Sequence, residues 1–151
     1  MKILFLTSGV DGKSGGWGRY SSGLIGALRR LNISCCVLTA QDKKGNGECL
    51  PQYVHYRLNY LLAPWHAWRL RAFAKECDVI HALIEPYAPI ARWLSRFSGK
   101  PYVVTAHGTY AMMPFQYAFP FQRIHQRALK EAHAIVAVST YTKQRLERKG
   151  L

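Results

Sequence analysis

Five short apolar runs, rich in valine, isoleucine and tyrosine, limit this chain to a small set of folds. Each run is hydrophobic almost throughout instead of alternating with polar residues, which is typical of a strand covered on both faces. The segments between the runs are long enough to hold the crossover helices that parallel strands require. The sequence therefore predicts an α/β, Rossmann-like domain of about six parallel strands with helices on both faces of the sheet. The five runs are residues 2–8, 34–40, 78–84, 101–106 and 133–139.

The segments between these runs are predicted from apolar spacing and from turn residues. Residues 53–58 are expected to form a further short strand, residues 41–52 a polar loop, and residues 112–121 an aromatic loop. Ser139 and Thr140 are expected to cap the last helix. Helices are predicted at residues 19–31, 61–76, 87–97, 122–132 and 141–150.

The composition is that of a packed domain with an unusual charge. The chain has 151 residues, of which 49% are hydrophobic and 19% charged. This composition excludes extensive disorder, and the length predicts about one domain. The 21 lysine and arginine residues against 8 aspartate and glutamate residues give a formal net charge of +13. Such an excess predicts an anionic partner, which from charge alone is nucleic acid, a phosphorylated substrate or an acidic membrane.

The sequence predicts neither a targeting segment nor a disulfide framework. No run approaches the roughly 20 apolar residues of a membrane span, and the N-terminal run is too short for a signal peptide. The four cysteines lack the C-x-x-C spacing of metal and redox sites, so no metal site and a reducing, cytoplasmic location are expected. They are Cys35, Cys36, Cys49 and Cys77.

A glycine-rich segment follows the first run and precedes the first predicted helix. Gly12, Gly15, Gly16 and Gly18, with Trp17 among them, would let the backbone approach a ligand closely. The start of the helix would offer N–H donors to a phosphate. The segment matches neither the G-x-G-x-x-G dinucleotide pattern nor the Walker phosphate loop, because it lacks a glycine that each of these patterns requires. It predicts a diphosphate-binding site, with an ordinary flexible connection as the alternative.

Polar residues at the carboxyl ends of the predicted strands form a second group of candidates. His107 follows the fourth run, where ligands of open parallel sheets bind, so it is predicted to contact a sugar hydroxyl or a phosphate. The alternative is a buried histidine bonded to a backbone carbonyl. Glu85 follows the third run directly and is predicted either to bind an acceptor hydroxyl or to face a helix dipole. His81 is expected to pack inside the domain.

The second predicted helix combines aromatic and basic residues. Trp65 and Trp68 occur with Arg69, Arg71 and Lys75. This mixture is typical of a helix in a membrane interface, where aromatic rings reach the acyl boundary and cations meet anionic headgroups. The same tryptophans also fit the apolar stripe of a helix packed on the sheet, so both interpretations stay open.

The order of these motifs resembles the N-terminal domain of family-four glycosyltransferases, which are retaining sugar transferases of the GT-B fold that use nucleotide-diphosphate sugars. The resemblance spans essentially the whole chain. It is carried by KILFLT at residues 2–7 with Gly15, Gly16 and Gly18 after it, DVIH at 78–81, VVTAHG at 103–108, and AIVAVS at 134–139 with Lys143 and Leu146 after it.

The resemblance implies roles for individual residues. Gly15 and Gly16, with Trp17 and Gly18 beside them, would approach the donor diphosphate, and His107 would contact the transferred hexose and steady the transition state. Such enzymes are usually independent of metal, so no metal or cofactor is expected beside the nucleotide sugar. The acceptor would be a saccharide or lipid-linked hydroxyl in cell-envelope polysaccharide or glycolipid synthesis. In such enzymes a basic surface meets the membrane, so the chain is expected to be peripheral on its cytoplasmic face.

Residues 1–151 are expected to form the N-terminal, acceptor-side half of such an enzyme. A second, similar domain grips the nucleotide in this family, so a C-terminal domain or a partner subunit is expected to complete the cleft. The chain alone is expected to bind acceptor better than donor and to turn over poorly. The rival interpretation is a non-catalytic Rossmann-like module that binds an anionic membrane or another subunit. Nucleic-acid binding is not expected, because the sequence has no basic recognition helix or stacking platform.

Overall fold

A computed structural model describes the chain at residues 1–10, 15–40, 50–52 and 56–151, and a single β-sheet lies at its centre. Within these residues the sheet is five-stranded and all parallel, in the order β2-β1-β3-β4-β5. This confirms the predicted α/β, Rossmann-like class, and every strand lies within a predicted run. The strands are β1 Lys2–Thr7, β2 Ser34–Thr39, β3 Val79–Ala82, β4 Tyr102–Ala106 and β5 Ala134–Ala137.

Helices connect the strands, and short 3₁₀ turns follow β3 and α5. Ser139 caps the last helix as predicted, since its Oγ accepts the Thr142 N–H at 3.1 Å. The helices are α1 Gly15–Arg30, α2 Tyr56–Leu61, α3 Ala63–Lys75, α4 Ala88–Ser98, α5 Thr109–Met112, α6 Phe121–Lys130 and α7 Thr140–Glu147. The 3₁₀ turns are Glu85–Tyr87 and Met113–Gln116.

The sheet is covered on both faces because successive side chains of a strand point to opposite sides. Along β1, Ile3 and Phe5 pack with Ile25 of α1, and we call this side the α1 face. Leu4 and Leu6 belong to the larger core under α3, α4 and α6, which we call the α3–α6 face. The prediction of helices on both faces is confirmed.

The inward side of α3 consists mainly of alanine. Ala63, Ala67 and Ala74 have no exposed surface, and α3 packs along α4 more extensively than any other pair of described helices. Small side chains allow such a close approach of two helices. Trp65 and Trp68 lie on the other side of α3, with 50% and 54% of their surface exposed. The interpretation of these tryptophans as a core stripe is therefore wrong.

The predicted short strand at residues 53–58 is wrong in its described part. Residues 53–55 and residues 41–49 of the predicted polar loop lie outside the described residues, and α2 begins at Tyr56. Residues 56–58 are therefore helical, and further along the same helix Asn59 and Tyr60 are both buried. The described sheet therefore has five strands instead of about six.

Two further boundaries differ from the prediction. Helix α1 begins at Gly15 instead of residue 19, so the glycines after residue 14 form its first turn and not a loop before it. The first turn makes few intrahelical bonds, so glycine is tolerated there. Gly12 lies outside the described residues. The predicted aromatic loop at residues 112–121 contains the end of α5, a 3₁₀ turn and the start of α6.

Candidate functional site

The first turn of α1 lies near the carboxyl end of β1, where Ser21 of the same helix bonds to Thr7. Gly15, Gly16, Trp17 and Gly18 make up this turn, and the first four N–H groups of a helix have no partner within it. Gly15 has a φ of +71°, which favours glycine, and an added Cβ at Gly15 or Gly16 would meet no atom within 4 Å. A turn of this kind is suited to an anion such as a diphosphate.

His107 lies against this part of α1, although it follows β4. Its ring centroid is 6.4 Å from that of Trp17 and 5.1 Å from that of Tyr20, which meets it edge-on. Its Nε2–H donates to the carbonyl of Leu83 at 2.9 Å. A neutral ring bonded in this way has its lone pair on Nδ1, and no group among the described residues bonds to that atom. The structure thus brings the predicted His107 and Trp17 together and leaves Nδ1 as an acceptor.

Glu85 is buried beneath the turn that carries His107. Its side chain has no exposed surface, and its Oε1 accepts the backbone N–H groups of His107 and Gly108, the latter at 3.3 Å. Burial raises the pKa of this carboxyl, although the two N–H groups and the His107 charge act in the opposite direction. Oε2 has no hydrogen-bond partner among the described residues. Glu85 therefore contacts the backbone of the turn directly.

Gly108 fixes the path of the chain after His107. Its φ of +108° is a backbone conformation that L side chains rarely adopt. An added Cβ would also lie 3.3 Å from Oγ1 of the buried Thr142 in α7, so the space is tight. A larger residue at this position would strain the turn that carries the imidazole.

Sequence reasoning missed several groups that shape this site. Tyr20 packs on His107. Ser21 holds α1 to the end of β1, since its hydroxyl donates to Thr7 Oγ1 at 2.9 Å. The Thr7 hydroxyl in turn donates to the carbonyl of Gly9. The spacing of Trp17, Tyr20 and Ser21 was a usable signal, since residues three and four apart share one face of a helix. The Leu83 carbonyl carried no signal, because every residue has one.

His81 lies inside the domain, as predicted. Its Nε2 and Thr105 Oγ1 are 2.9 Å apart, and its ring centroid is 5.5 Å from that of Phe5 on the α1 face. Burial lowers its pKa to about 4, so the ring is neutral near pH 7. This histidine is part of the packing and not of the site.

The aromatic and basic residues of α3 lie away from the site, on the outer side of the α3–α6 face. Arg69 Cζ is 5.0 Å from the centroid of the Trp65 ring, and Arg71 Cζ is 4.3 Å from that of Trp68, as in cation–π pairs. Arg71 also donates to the Trp68 carbonyl, and Lys75 lies exposed at the end of the helix. Among the described residues, no helix is both long and apolar enough to cross a membrane.

The site combines an anion-accepting helix start with an imidazole acceptor, so it can bind a charged group and a hydroxyl side by side. In the part of the chain that the structure describes, no three histidine, cysteine, aspartate or glutamate side chains stand together as metal ligands. The fold and site define a Rossmann-like domain with its candidate site beyond the carboxyl ends of parallel strands.

The chain belongs to glycosyltransferase family 4. The family model described as Glycosyltransferase Family 4 matches residues 14–151, which include the first turn of α1, Glu85 and His107. No curated protein sequence matches the chain at a significant level.

Several solved structures share this fold. The lipopolysaccharide outer core galactosyltransferase WaaB, in its apo form, is 19% identical with a TM-score of 0.66, and the match covers 100% of this chain and 43% of that one. Anabaena Alr3699/HepE in complex with UDP and glucose is 20% identical with a TM-score of 0.62, over 99% of this chain and 41% of that one. Arabidopsis thaliana UGT89C1 complexed with UDP is 12% identical with a TM-score of 0.53, over 97% and 47%. The chain thus spans less than half the length of these structures.

Proposed function

We propose that this chain is the acceptor-side half of a glycosyltransferase that moves a hexose from a nucleotide-diphosphate sugar to a hydroxyl acceptor. The observation that carries the proposal is the meeting of the α1 start, through Trp17 and Tyr20, with His107 at the end of β4. Family membership supports the reaction class. The likeness to a lipopolysaccharide galactosyltransferase supports an acceptor in cell-envelope polysaccharide or glycolipid synthesis.

The donor diphosphate would lie over the first turn of α1. The N–H groups of the first turn of α1, at residues 15–18, point their partial positive charge to one place, and the chain adds a formal net charge of +13. These charges can balance a diphosphate, so the reaction as we propose it needs no metal or other cofactor. The UDP and UDP-glucose ligands of similar folds support a nucleotide sugar here.

His107 would hold the transferred sugar. In its neutral form Nδ1 accepts a sugar hydroxyl, while the bond from Nε2–H to Leu83 keeps the ring in place. A protonated ring would instead place a positive charge beside the departing diphosphate, which stabilises the transition state of a glycosyl transfer. Retention of the anomeric configuration is part of the proposal through the resemblance to the family. Because Glu85 is buried, we assign it the positioning of His107 and not direct contact with the acceptor.

A second domain, in the same polypeptide or in a partner subunit, would complete the cleft. The similar solved chains are more than twice as long as the part that this chain matches. Catalysis would then require both domains, because the reacting groups must be held together in one geometry. This chain alone would bind ligands without efficient turnover.

The nucleotide proposal is tested by titrating UDP into the ¹⁵N-labelled chain. We expect the amide signals of Gly15, Gly16 and Gly18 and the ring signals of His107 to shift together. His107→Ala would weaken the response to UDP-glucose more than the response to UDP, because the ring faces the sugar. His133→Ala is the matched control, since His133 is exposed at the opposite, amino end of β5. Shifts that avoid α1 and His107 would contradict the proposal.

We further propose that the outer side of α3 rests on an anionic membrane at its cytoplasmic face. Two half-exposed tryptophans flanked by arginines on one helix favour this, because such rings partition into the interface while cations meet acidic lipids. Vesicles with phosphatidylglycerol should bind the chain more tightly than vesicles of phosphatidylcholine alone. Trp65→Ala with Trp68→Ala should reduce that binding, whereas the control Tyr141→Ala, also at an exposed aromatic, should not.

The second candidate function is a non-catalytic module that binds a membrane or another subunit. The exposed tryptophans of α3 favour it as much as they favour an enzyme at a membrane. Vesicle binding without any response to UDP or UDP-glucose would select this candidate. Nucleic acid is not a proposed partner, and a strong, salt-sensitive affinity for DNA without lipid preference would reverse that view.

A further inference from the structure

A groove on the outer side of the α3–α6 face is separate from the site at His107. Helix α4 forms its floor, and the α2–α3 junction and α6 form its walls around a cavity of about 440 Å³. Three arginines and three aromatic side chains line it, together with two prolines, a leucine and an isoleucine. The residues that matter for its chemistry are Tyr60, Arg92, Trp93, Phe119, Arg123 and Arg127.

The deepest cation of the groove is already neutralised. Arg92 is buried and donates to both carboxylate oxygens of Glu131, at 2.7 and 2.9 Å. Arg96 adds a third bond to the same carboxylate, and hydrogen bonding by Arg92 holds the pKa of Glu131 below its ordinary value. Arg92 therefore joins α4 to the end of α6, and its guanidinium donors are engaged by this carboxylate.

Arg123 and Arg127 are the cations that remain. They lie one turn apart on α6 and are both exposed. Neither is paired with an acidic side chain among the described residues. Two guanidinium groups on one wall of a cavity can together take a phosphate, for which their planar donors are well matched.

The rest of the groove is apolar and aromatic. Phe119 is 75% exposed at its mouth, with Arg123 Cζ 5.9 Å from the centroid of its ring. Trp93 is partly buried at its floor, with the Cζ atoms of Arg92 and Arg96 at 5.5 and 5.4 Å from its ring centroid, so an acyl chain would contact the edge of the ring. The Tyr60 hydroxyl bonds to Nδ1 of His125 at 3.0 Å, so this polar atom is already engaged inside the domain. Pro64 of α3 also lines the groove and directly precedes the exposed Trp65. The groove thus adjoins the surface proposed to meet a membrane.

We propose that this groove binds a phosphate-bearing membrane lipid, with its phosphate between Arg123 and Arg127 and its first acyl carbons on Phe119 and Trp93. The unpaired positive charge selects an anionic headgroup, and the aromatic walls select a hydrocarbon chain over a free anion. The continuity with α3 favours a lipid drawn from the bilayer. The proposal is independent of glycosyl transfer, and it adds a defined headgroup site to the membrane contact of α3.

The test uses lipids below their critical micelle concentration, so that no membrane surface is present. Dihexanoyl phosphatidic acid, dihexanoyl phosphatidylcholine and inorganic phosphate are titrated separately into the ¹⁵N-labelled chain, and the indole N–H signal of Trp93 is followed. Phosphatidic acid should bind roughly tenfold or more tightly than either of the others, because it alone satisfies both the charge and the apolar wall. Equal affinity for inorganic phosphate would overturn the lipid assignment in favour of a free anion.

Matched variants separate a site from general attraction to a basic protein. Arg123→Gln with Arg127→Gln should weaken phosphatidic acid binding by roughly tenfold. Arg29→Gln with Arg30→Gln removes the same charge from the exposed end of α1 and should change affinity by less than about twofold. A similar loss in both double variants would overturn the proposal, because the attraction would then come from net charge alone.

The apolar half of the site is tested at its most exposed residue. Phe119→Ser should lower the affinity for phosphatidic acid by about threefold or more, since apolar contact with the acyl chain is lost. Because Phe119 is 75% exposed, this change leaves the core intact. An unchanged affinity would show that the chain does not lie in the groove and would overturn its placement there.

Discussion

The α1 side of the molecule and the outer side of the α3–α6 face use their polar groups in different ways. At the His107 site the groups that hold the site in place are bonded inside the domain, as in the contacts of Glu85 Oε1 with two backbone N–H groups and of His107 Nε2 with Leu83. On the outer side, Arg69 and Arg71 are stacked on exposed tryptophans, and Arg123 and Arg127 have no acidic partner among the described residues. Substitutions at the His107 site should therefore change both ligand binding and the free energy of unfolding, whereas substitutions on the outer side should change binding alone.

Both sides nevertheless depend on a buried, neutral histidine, and this shared feature gives the largest expected effect. Burial lowers the pKa of His81 on the α1 face and of His125 on the α3–α6 face, each from 6.5 to about 4. The unfolded chain takes up protons near pH 6.5 and the folded one near pH 4, so stability present above pH 6.5 is lost as the pH falls through this window. Each histidine should cost roughly 3 kcal/mol between pH 7 and pH 4.

Urea unfolding at a series of pH values, with His81→Gln and His125→Gln, measures this dependence. Each variant should reduce the acid-induced loss of unfolding free energy, whatever its stability at pH 7. His133→Gln is the control, because His133 is exposed. If one buried histidine carried all of the pH dependence, the two sides would differ in their cores as well as in their surfaces.

The next effect concerns Glu85 and tests whether the α1 side is held by hydrogen bonds. Glu85→Leu leaves the N–H groups of His107 and Gly108 without their buried acceptor, so the free energy of unfolding should fall by about 2 to 4 kcal/mol. Glu85→Gln keeps an acceptor oxygen and should lose much less. Thermal unfolding and amide hydrogen exchange at residues 107 and 108 report both changes, and equal losses would contradict a positioning role.

The same carboxyl responds to pH in the opposite sense to the histidines. Burial raises the pKa of folded Glu85, so its contribution to stability is present at low pH and is lost as the pH rises through the folded pKa. Glu85→Gln should therefore be most favourable relative to the native chain at high pH and least favourable at low pH. A stability difference between the two that does not change with pH would contradict the raised pKa.

A smaller effect is expected at His107 itself. His107→Ala removes the bond to the Leu83 carbonyl and the ring contacts with Trp17 and Tyr20, and it should cost about 1 kcal/mol in unfolding free energy. The half-buried ring contributes modestly to packing, so a loss several times larger would make His107 a structural residue first. Urea unfolding of His107→Ala and of Glu85→Leu under the same conditions shows which variant loses more unfolding free energy.

The fold could be read from the sequence because its signals are local. Continuous apolar runs specify strands that are buried on both faces, and all five described strands lie within the runs at residues 2–8, 34–40, 78–84, 101–106 and 133–139. The errors occurred where tertiary packing decides the local structure. Residues 56–58 were predicted as the end of a short strand, but they begin α2, whose neighbouring Tyr60 stacks on His125 of α6.

The sequence places the candidate residues at one edge of the sheet but says nothing of their bonding. The carboxyl ends of parallel strands lie at the same edge, and β3 alone separates β1 from β4, so the α1 start and His107 are both expected at that edge. The role of Glu85 as an acceptor for two backbone N–H groups could not be predicted, because it depends on the exact path of the turn after β4. Likewise, the periodicity of α3 allowed Trp65 and Trp68 to lie on its inner or its outer side. They lie on the outer side because the alanines opposite them pack inward.

The smallest expected effect on stability is that of the exposed tryptophans of α3, and it contrasts most with the effect of Glu85→Leu. Trp65→Ala with Trp68→Ala removes two rings that are half exposed, so the free energy of unfolding should change by less than about 1 kcal/mol. The same double variant should lose most of the binding to phosphatidylglycerol vesicles. If it unfolded as readily as Glu85→Leu, the rings would be supporting α3 against α4, and the division between a bonded site and a free surface would not hold.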